Sequence, residues 1–209
     1  MNIPVLYEDQ WLLIVDKPAG LLTIPAPGNK GRSLAGILDE FAVESKLSHR
    51  FHLCHRLDRE TSGAVIFAKG KAMQQAMMAL FKARQVRKTY LAFAHGNIPR
   101  NEGRIEGRIE GMTAATGFRV LERRAKFSIV EVHPETGRTN QIRIHFKSIG
   151  HPLVGETRFA FRKDFALKAK RVCLHAQAVE FTHPQTARLL RAEAPLPQDL
   201  AAFLEKNRE

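Results

Sequence analysis

His55-Arg56-Leu57-Asp58-Arg59-Glu60-Thr61-Ser62-Gly63 runs straight into Ala64-Val65-Ile66-Phe67-Ala68-Lys69, so a dense polar stretch feeds an apolar run. The apolar run has strand length and strand-forming residues, which predicts a buried strand, and Thr61-Ser62-Gly63 reads as the turn that delivers the polar stretch to it. Asp58 stands between Arg56 and Arg59, and residues 49–90 carry 9 Lys+Arg against 2 acids. Nearby cations favour the ionised carboxylate, and an ionised, positioned Asp can act as a nucleophile or a base. The plainer alternative is a surface ion-pair partner.

Just upstream, His49, His52 and Cys54 join His55 and Asp58 in a cluster that suggests a metal site. Their spacing does not match a structural zinc arrangement, no second Cys or His pair completes the set, and the arginines among them would oppose a cation. Ser62 lies outside a Gly-x-Ser-x-Gly elbow, and no Gly-x4-Gly-Lys-Ser/Thr phosphate loop occurs. A metal is therefore not expected from this spacing.

Working outward, Trp11-Leu12-Leu13-Ile14-Val15 predicts a buried strand stopped by Lys17-Pro18-Ala19-Gly20. Ser33 is placed to cap a helix whose Leu34, Ile37, Leu38 and Phe41 share a face. From Lys71 to Arg84, Met73, Met77, Leu80 and Phe81 form a second helical stripe, read as core packing. A strand is expected over Thr89 to Ala94. Gly103 to Gly111 repeats Gly-Arg-Ile-Glu, and its glycines and four-residue spacing are read as a loop or distorted hairpin arm. Strands follow at about 117–123 and 127–133, then a helix capped by Thr139 with Ile142, Phe146 and Ile149 on one side. Strands at about 172–181 and 187–193 flank His183-Pro184-Gln185, and Pro197-Gln198-Asp199 opens a terminal helix bearing Leu200, Phe203 and Leu204. Many strands with few helices and no regular alternation predict an α+β fold, a largely antiparallel sheet flanked by helices and loops. Nothing resembles a linker, so residues 1–209 are taken as a single domain.

The chain is 44% hydrophobic, which excludes a disordered basic tail, and its 14 Gly and 10 Pro are scattered, which excludes a low-complexity chain. No apolar run approaches the roughly 18 residues that span a bilayer, and Met1-Asn2-Ile3-Pro4-Val5 lacks the features of a signal peptide. With two cysteines, Cys54 and Cys173, a reducing compartment is the default, so a cytoplasmic protein without a membrane partner is expected. The net charge of +12 is uneven: +7 over residues 49–90 and +8 over residues 119–171, with the remainder near neutral. Such blocks suit a nucleic-acid surface, beside the plainer reading of charges that decorate a solvated surface.

The nine residues His55 to Gly63 match every fixed position of a signature of the pseudouridine synthases, and the chain resembles their RluA-like family, which modifies ribosomal and transfer RNA. Lys88-Thr89-Tyr90 resembles the family's Lys-x-Tyr. Thr136-Gly137-Arg138-Thr139-Asn140-Gln141-Ile142-Arg143-Ile144-His145 resembles a third motif, followed by Gly150-His151-Pro152-Leu153-Val154-Gly155. Asp16-Lys17-Pro18-Ala19-Gly20, Leu174-His175-Ala176, His183-Pro184 and Ala194-Pro195-Leu196-Pro197 keep the family's order, so the resemblance covers essentially the whole chain.

The resemblance implies an RNA pseudouridine synthase of the pseudouridine synthase fold, acting on a uridine of ribosomal RNA, transfer RNA or both. It implies catalytic roles for Asp58 at the ribose, Tyr90 over the base near C5, and Arg143 as partner of the carboxylate. Arg56 would fill the stack vacated by a flipped base, and Arg59, Lys88, Arg138 and Gln141 would share in RNA contact and base flipping. No cofactor is implied, and a monomer without an obligatory protein partner is expected. Asn140 replaces the usual histidine of the third motif, Glu156 replaces the usual aspartate after Gly155, and the stretch after Gly111 is shorter than usual. The family's optional S4 module is not expected. A non-catalytic RNA-binding protein on the same scaffold is the alternative, and a metal-dependent nuclease built on His49, His52, His55 and Asp58 a third reading.

Overall fold

In the computed structural model, residues 3–25, 32–160 and 167–208 are described. In chain order, their elements are β1 (Val5–Glu8), β2 (Leu12–Lys17), α1 (Leu34–Glu44), β3 (Phe51–Leu53), β4 (Ser62–Lys69), α2 (Lys71–Lys82) and β5 (Arg87–His95). Then come β6 (Glu102–Ile109), β7 (Met112–Arg124), β8 (Phe127–Pro134), α3 (Gln141–Ser148), β9 (Leu174–Thr182), β10 (Leu189–Glu193) and α4 (Gln198–Lys206). This is the α+β architecture with a largely antiparallel sheet that the sequence predicts. The chain divides into two compact units, Met1–Arg87 with Ala176–Pro195, and Lys88–His175 with Leu196–Glu209.

In the first unit the strands run in the order β1-β2-β4-β9, with β3 also on β4 and β10 on β9. β2 and β4 pair antiparallel from Leu12↔Ala68 to Lys17↔Gly63. On one side Leu12, Ile14, Ala64 and Ile66 pack with Met73 and Met77 of α2 and Val179 and Phe181 of β9. The methionine stripe is thus core. Leu13, Val15, Val65 and Phe67, facing the other way, are equally buried, which is why both strands read as continuous apolar runs. Ser33 caps α1 as expected, its hydroxyl accepting from Gly36 N at 3.2 Å. Short β1 and three-residue β3 have too few residues to carry a periodic signal.

In the second unit the order is β5-β8-β7-β6. Leu91, Phe93, Phe127 and Ile129 pack with Val154, Cys173 and Leu200. Phe203 of α4 stacks on Phe93 with centroids 5.7 Å apart and meets Phe127 edge-on at 5.5 Å.

Two expectations are corrected in this unit. The Gly-Arg-Ile-Glu repeat is a regular strand, β6, paired residue by residue with β7 from Glu102↔Arg119 to Ile109↔Met112. Four is a multiple of the strand period of two, so Gly103, Ile105, Gly107 and Ile109 all share one face and the charged residues the other. Ile105 and Ile109 are buried. A Cβ at Gly103 would meet the Phe118 ring at 2.8 Å, so glycine there makes room for an aromatic rather than marking a loop. The helix expected to be capped by Thr139 instead begins one residue later, with Asn140 as N-cap in the left-handed region at φ 53 and no side-chain cap bond. Ile149, expected on the apolar side, is the C-cap and is 37% exposed, because the helix ends before the stripe can continue.

Candidate active site

In the first unit the polar stretch forms the connection from β3 to β4, and its backbone is pinned from several directions. Lys17, fully buried, donates from Nζ to the carbonyls of Pro18, Leu21 and Arg59 at 3.0, 2.7 and 3.3 Å. The Thr23 hydroxyl donates to Leu57 O at 2.7 Å and accepts from Leu57 N at 3.2 Å. Arg59 returns both ways to Gly20, with its backbone carbonyl accepting from Gly20 N at 2.8 Å and its Nε donating to Gly20 O at 3.1 Å. Leu57 is buried as an apolar anchor, and Thr61 N closes a turn on Asp58 O at 3.1 Å. Asp58 is thereby held between two fixed neighbours with its side chain half-buried, while Arg56 and Arg59 are exposed. Buried polar backbone that is this fully satisfied resists displacement.

Gly63 ends the stretch at φ +117, and a Cβ there would stand 2.2 Å from the carbonyl oxygen of Ala176. Only glycine permits that approach of β9 to β4. Of the histidines in the stretch, His55 is committed to the fold: its Nε2 accepts from Ile66 N at 3.1 Å and its ring lies 5.2 Å from that of Phe81. His49 meets Phe51 edge-on at 5.2 Å. Burial pushes the Cys54 thiol up to about 12. Among the described residues, no group of three or more His, Cys, Asp or Glu side chains is arranged to hold a metal ion.

In the second unit Tyr90 sits on β5 opposite Val132 and is 8% exposed. Lys88, two residues earlier, is half-buried, and burial pushes its ammonium below the ordinary lysine value. Arg143 projects from α3 with 6% exposure. Its Nε and Nη2 reach the two oxygens of Glu156 at 2.7 and 2.8 Å, its Nη1 reaches Asn140 Oδ1 at 2.8 Å, and its guanidinium lies 5.2 Å over the Phe159 ring. Burial opposes ionisation of Glu156, but hydrogen bonds from Arg143 and from the amides of Arg158 and Phe159 outweigh it and hold its carboxyl below the usual range. The two family departures, Asn140 and Glu156, therefore meet on one guanidinium.

Gln141, expected at the RNA, is 5% exposed and its amide is spent inside the chain. Its Oε1 accepts from Thr136 Oγ1 and Arg138 N at 2.6 and 3.0 Å, and its Nε2 donates to Ala115 O and Thr116 Oγ1, both at 2.9 Å. Arg138 is half-buried with Nε 3.3 Å from Thr113 O. Sequence reasoning missed Lys17 and Thr23 as supports of the Asp58 loop, and Glu156 and Asn140 as partners of Arg143. The Asp16 to Gly20 motif and the two departures were the available signals.

With this geometry in place, the family model described as RNA pseudouridylate synthase matches residues 11–148. The uncharacterized RNA pseudouridine synthase YlyB of Bacillus subtilis (strain 168) is 35% identical over 226 residues, a match covering 100% of this chain and 74% of that protein. Ribosomal large subunit pseudouridine synthase D of Nitrosomonas europaea is 34% identical over 222 residues, covering 97% of this chain and 64% of its own length. The same-named protein of Neisseria meningitidis serogroup A is 34% identical over 229 residues, with 98% and 61% covered. The chain thus spans between 61% and 74% of the length of these three relatives. Among solved structures, human RNA pseudouridylate synthase domain containing 4 superimposes with a TM-score of 0.83 at 22% identity, over 98% of this chain and 93% of the other, which is a likeness of fold. Human RNA pseudouridylate synthase domain containing 1 gives 0.73 at 26% identity, over 99% and 95%.

Proposed function

The chain belongs to the RNA pseudouridylate synthase family, and on that premise we propose that it isomerises a uridine of ribosomal or transfer RNA to pseudouridine with Asp58 as the catalytic carboxylate. The observation that carries this reading is the family match over residues 11–148, a span that includes Asp58 on its pinned loop, Tyr90 and Arg143. Relatives named for the large ribosomal subunit make ribosomal RNA the first target to test.

The reaction breaks the bond from ribose C1' to uracil N1, turns the base and rejoins it through C5. Atoms and electrons balance within the nucleotide, so no cofactor is needed. Asp58 serves the ribose, and both attack at C1' and removal of the C2' proton require it ionised, which the surrounding arginines favour. Tyr90 lies over the base, where its phenol, ordinarily of pKa about 10, assists departure of the C5 proton. Arg143 orients the catalytic carboxylate. A base within folded RNA is inaccessible to these groups, so the nucleotide is flipped out, at roughly a few kcal/mol for unstacking. Arg56, exposed beside the fixed Leu57, fills the gap with its flat guanidinium. Arg59, Lys88 and Arg138 contact the RNA strand, while Gln141 acts indirectly by holding the turn that carries Arg138 and Asn140. The protein works as a cytoplasmic monomer without an obligatory protein partner. No helix among the described residues is long and apolar enough to cross a membrane.

The test is release of tritium from C5-labelled uridine in total RNA of cells lacking the gene. Purified protein at low salt should release label, and Asp58→Asn should bind the same RNA within about threefold while turnover falls at least about 10³-fold, the scale on which a lost covalent or acid–base group acts. Binding without release by the unaltered protein would favour a non-catalytic RNA-binding protein instead.

A further inference from the structure

Between Glu60 and Glu102 the chain carries no acidic residue, and α2 lies inside that stretch. The inner side of the helix belongs to the core of the first unit, where Met73 and Met77 are buried with Ala76, Leu80 and Phe81 packed beside them. At about 100° per residue, Lys71, Gln75, Met78 and Lys82 fall within about 60° of one another on the opposite side, and all four are exposed. Lys71 and Lys82 stand about 16 Å apart along the axis. The helix ends on Ala83, followed by exposed Arg84 in the left-handed region at φ 59. The amides of Arg84 and Gln85 return to the carbonyls of Phe81 and Leu80 at 3.1 and 2.9 Å, a helix ending in which glycine ordinarily takes the place of Arg84. Among the described residues, no ion pair takes in Lys71, Lys82 or Arg84.

Helix stability does not account for this set. The dipole favours Lys82 and Arg84 at the C-terminal end, but it opposes Lys71, which stands at the first helical position with no acid in the first turn. α1 ends in the same way on Lys46 at φ 51, yet Lys46 follows Asp39, Glu40 and Glu44, whereas α2 has no acid to balance its cations. We propose that the outer face of α2, through Lys71, Lys82 and Arg84, binds phosphates of the RNA strand that flanks the modified nucleotide, a role that rests on the function proposed above. The occupant follows from charge complementarity: spaced cations without carboxylates suit a polyanionic backbone, and such contacts position RNA without reading its sequence. α2 is also tied to the polar stretch that carries Asp58, since Phe81 meets the His55 ring at 5.2 Å and Gln74 Nε2 donates to Leu53 O at 2.9 Å. RNA engaged at that stretch therefore has this helix beside it.

The experiment measures binding of the full chain to transcribed large-subunit ribosomal RNA as a function of salt, and compares Arg84→Gly with Lys46→Gly. Both changes put glycine at a left-handed helix end and remove one positive charge, so both should keep or raise the urea midpoint. One phosphate contact contributes about 0.7–0.9 to the slope of log K on log salt, so Arg84→Gly should lower the slope by about 1 and Lys46→Gly should leave it unchanged. The triple variant Lys71→Gln, Lys82→Gln, Arg84→Gly should lower it by about 2 to 3. An unchanged slope in the triple variant, or an equal fall for Lys46→Gly, overturns the surface and leaves the proposed function to be decided by tritium release from the unaltered protein. Weakened binding of the triple variant to phosphatidylglycerol vesicles, with its RNA slope unchanged, overturns it in favour of a membrane surface. Failure of the unaltered protein to bind ribosomal RNA at low salt would remove the surface and the proposed function together.

Discussion

At the scale of single residues, the loop that carries Asp58 is held by side chains from far along the chain. Lys17 and Thr23 reach Arg59 and Leu57 across 42 and 34 positions, and nothing local in a one-letter string marks such pairs. Thr23→Val keeps the shape but leaves Leu57 N and O without their hydroxyl, so stability should fall by about 1–3 kcal/mol in urea denaturation, and Thr23→Ser should recover most of it. A second residue-scale prediction follows from His95, which is 8% exposed and whose pKa burial lowers to about 4. Its folded pKa lies below the unfolded value of 6.5, so the unfolded chain binds the proton first and stability present above pH 6.5 is lost as pH falls toward 4. Denaturation at pH 5 should therefore show on the order of 1–2 kcal/mol less stability than at pH 7 from this group, and His95→Gln should flatten that slope. Glu156, held below the usual carboxylate range, extends the same decline to lower pH.

Among the elements, those with a clean period were readable and those whose period was masked were not. Ser33 with Leu34 and Leu38, or Met73 with Met77, announce helices because cap and stripe coincide. In β6 the inward positions alternate Gly and Ile, and glycine contributes no hydropathy, so a regular strand imitates a loop. α3 starts one residue later than a Thr139 cap would place it, with a left-handed Asn140 at its N-cap and no side-chain cap bond. Gly103→Ala should test the strand reading directly: its Cβ, 2.8 Å from the Phe118 ring, must displace an aromatic. A loss of about 1–3 kcal/mol is expected, whereas Arg108→Ala on the exposed face of the same strand should stay within about 0.5 kcal/mol. Equal urea midpoints for the two variants would contradict the face assignment.

Across the whole molecule, the α+β class followed from the count and order of elements, but the division into two units did not. Each unit is assembled from separated stretches, with Ala176–Pro195 belonging to the first and Leu196–Glu209 to the second. No single linker exists for composition to reveal. The charge map likewise needs refinement by structure. In residues 119–171, Arg119 pairs with Glu131, Arg124 with Glu122, Arg143 with Glu156 and Arg171 with Asp199, so part of the +8 block serves the fold. Residues 161–166 of that block lie outside the described residues. The +7 block is different, since Arg50, Arg56, Arg59, Arg84 and Arg87 are all exposed. RNA binding should accordingly weaken steeply with salt, and Arg138→Ala should lower the log–log salt slope by about 1 if it contacts a phosphate. The central claim, an Asp58-dependent uridine isomerisation, is met most directly by mapping pseudouridines site by site in ribosomal and transfer RNA from cells lacking the gene, complemented with the unaltered protein or with Asp58→Asn. The account predicts at least one pseudouridine lost on deletion, restored by the unaltered protein and not by Asp58→Asn; restoration by Asp58→Asn, or an unchanged map on deletion, would contradict it.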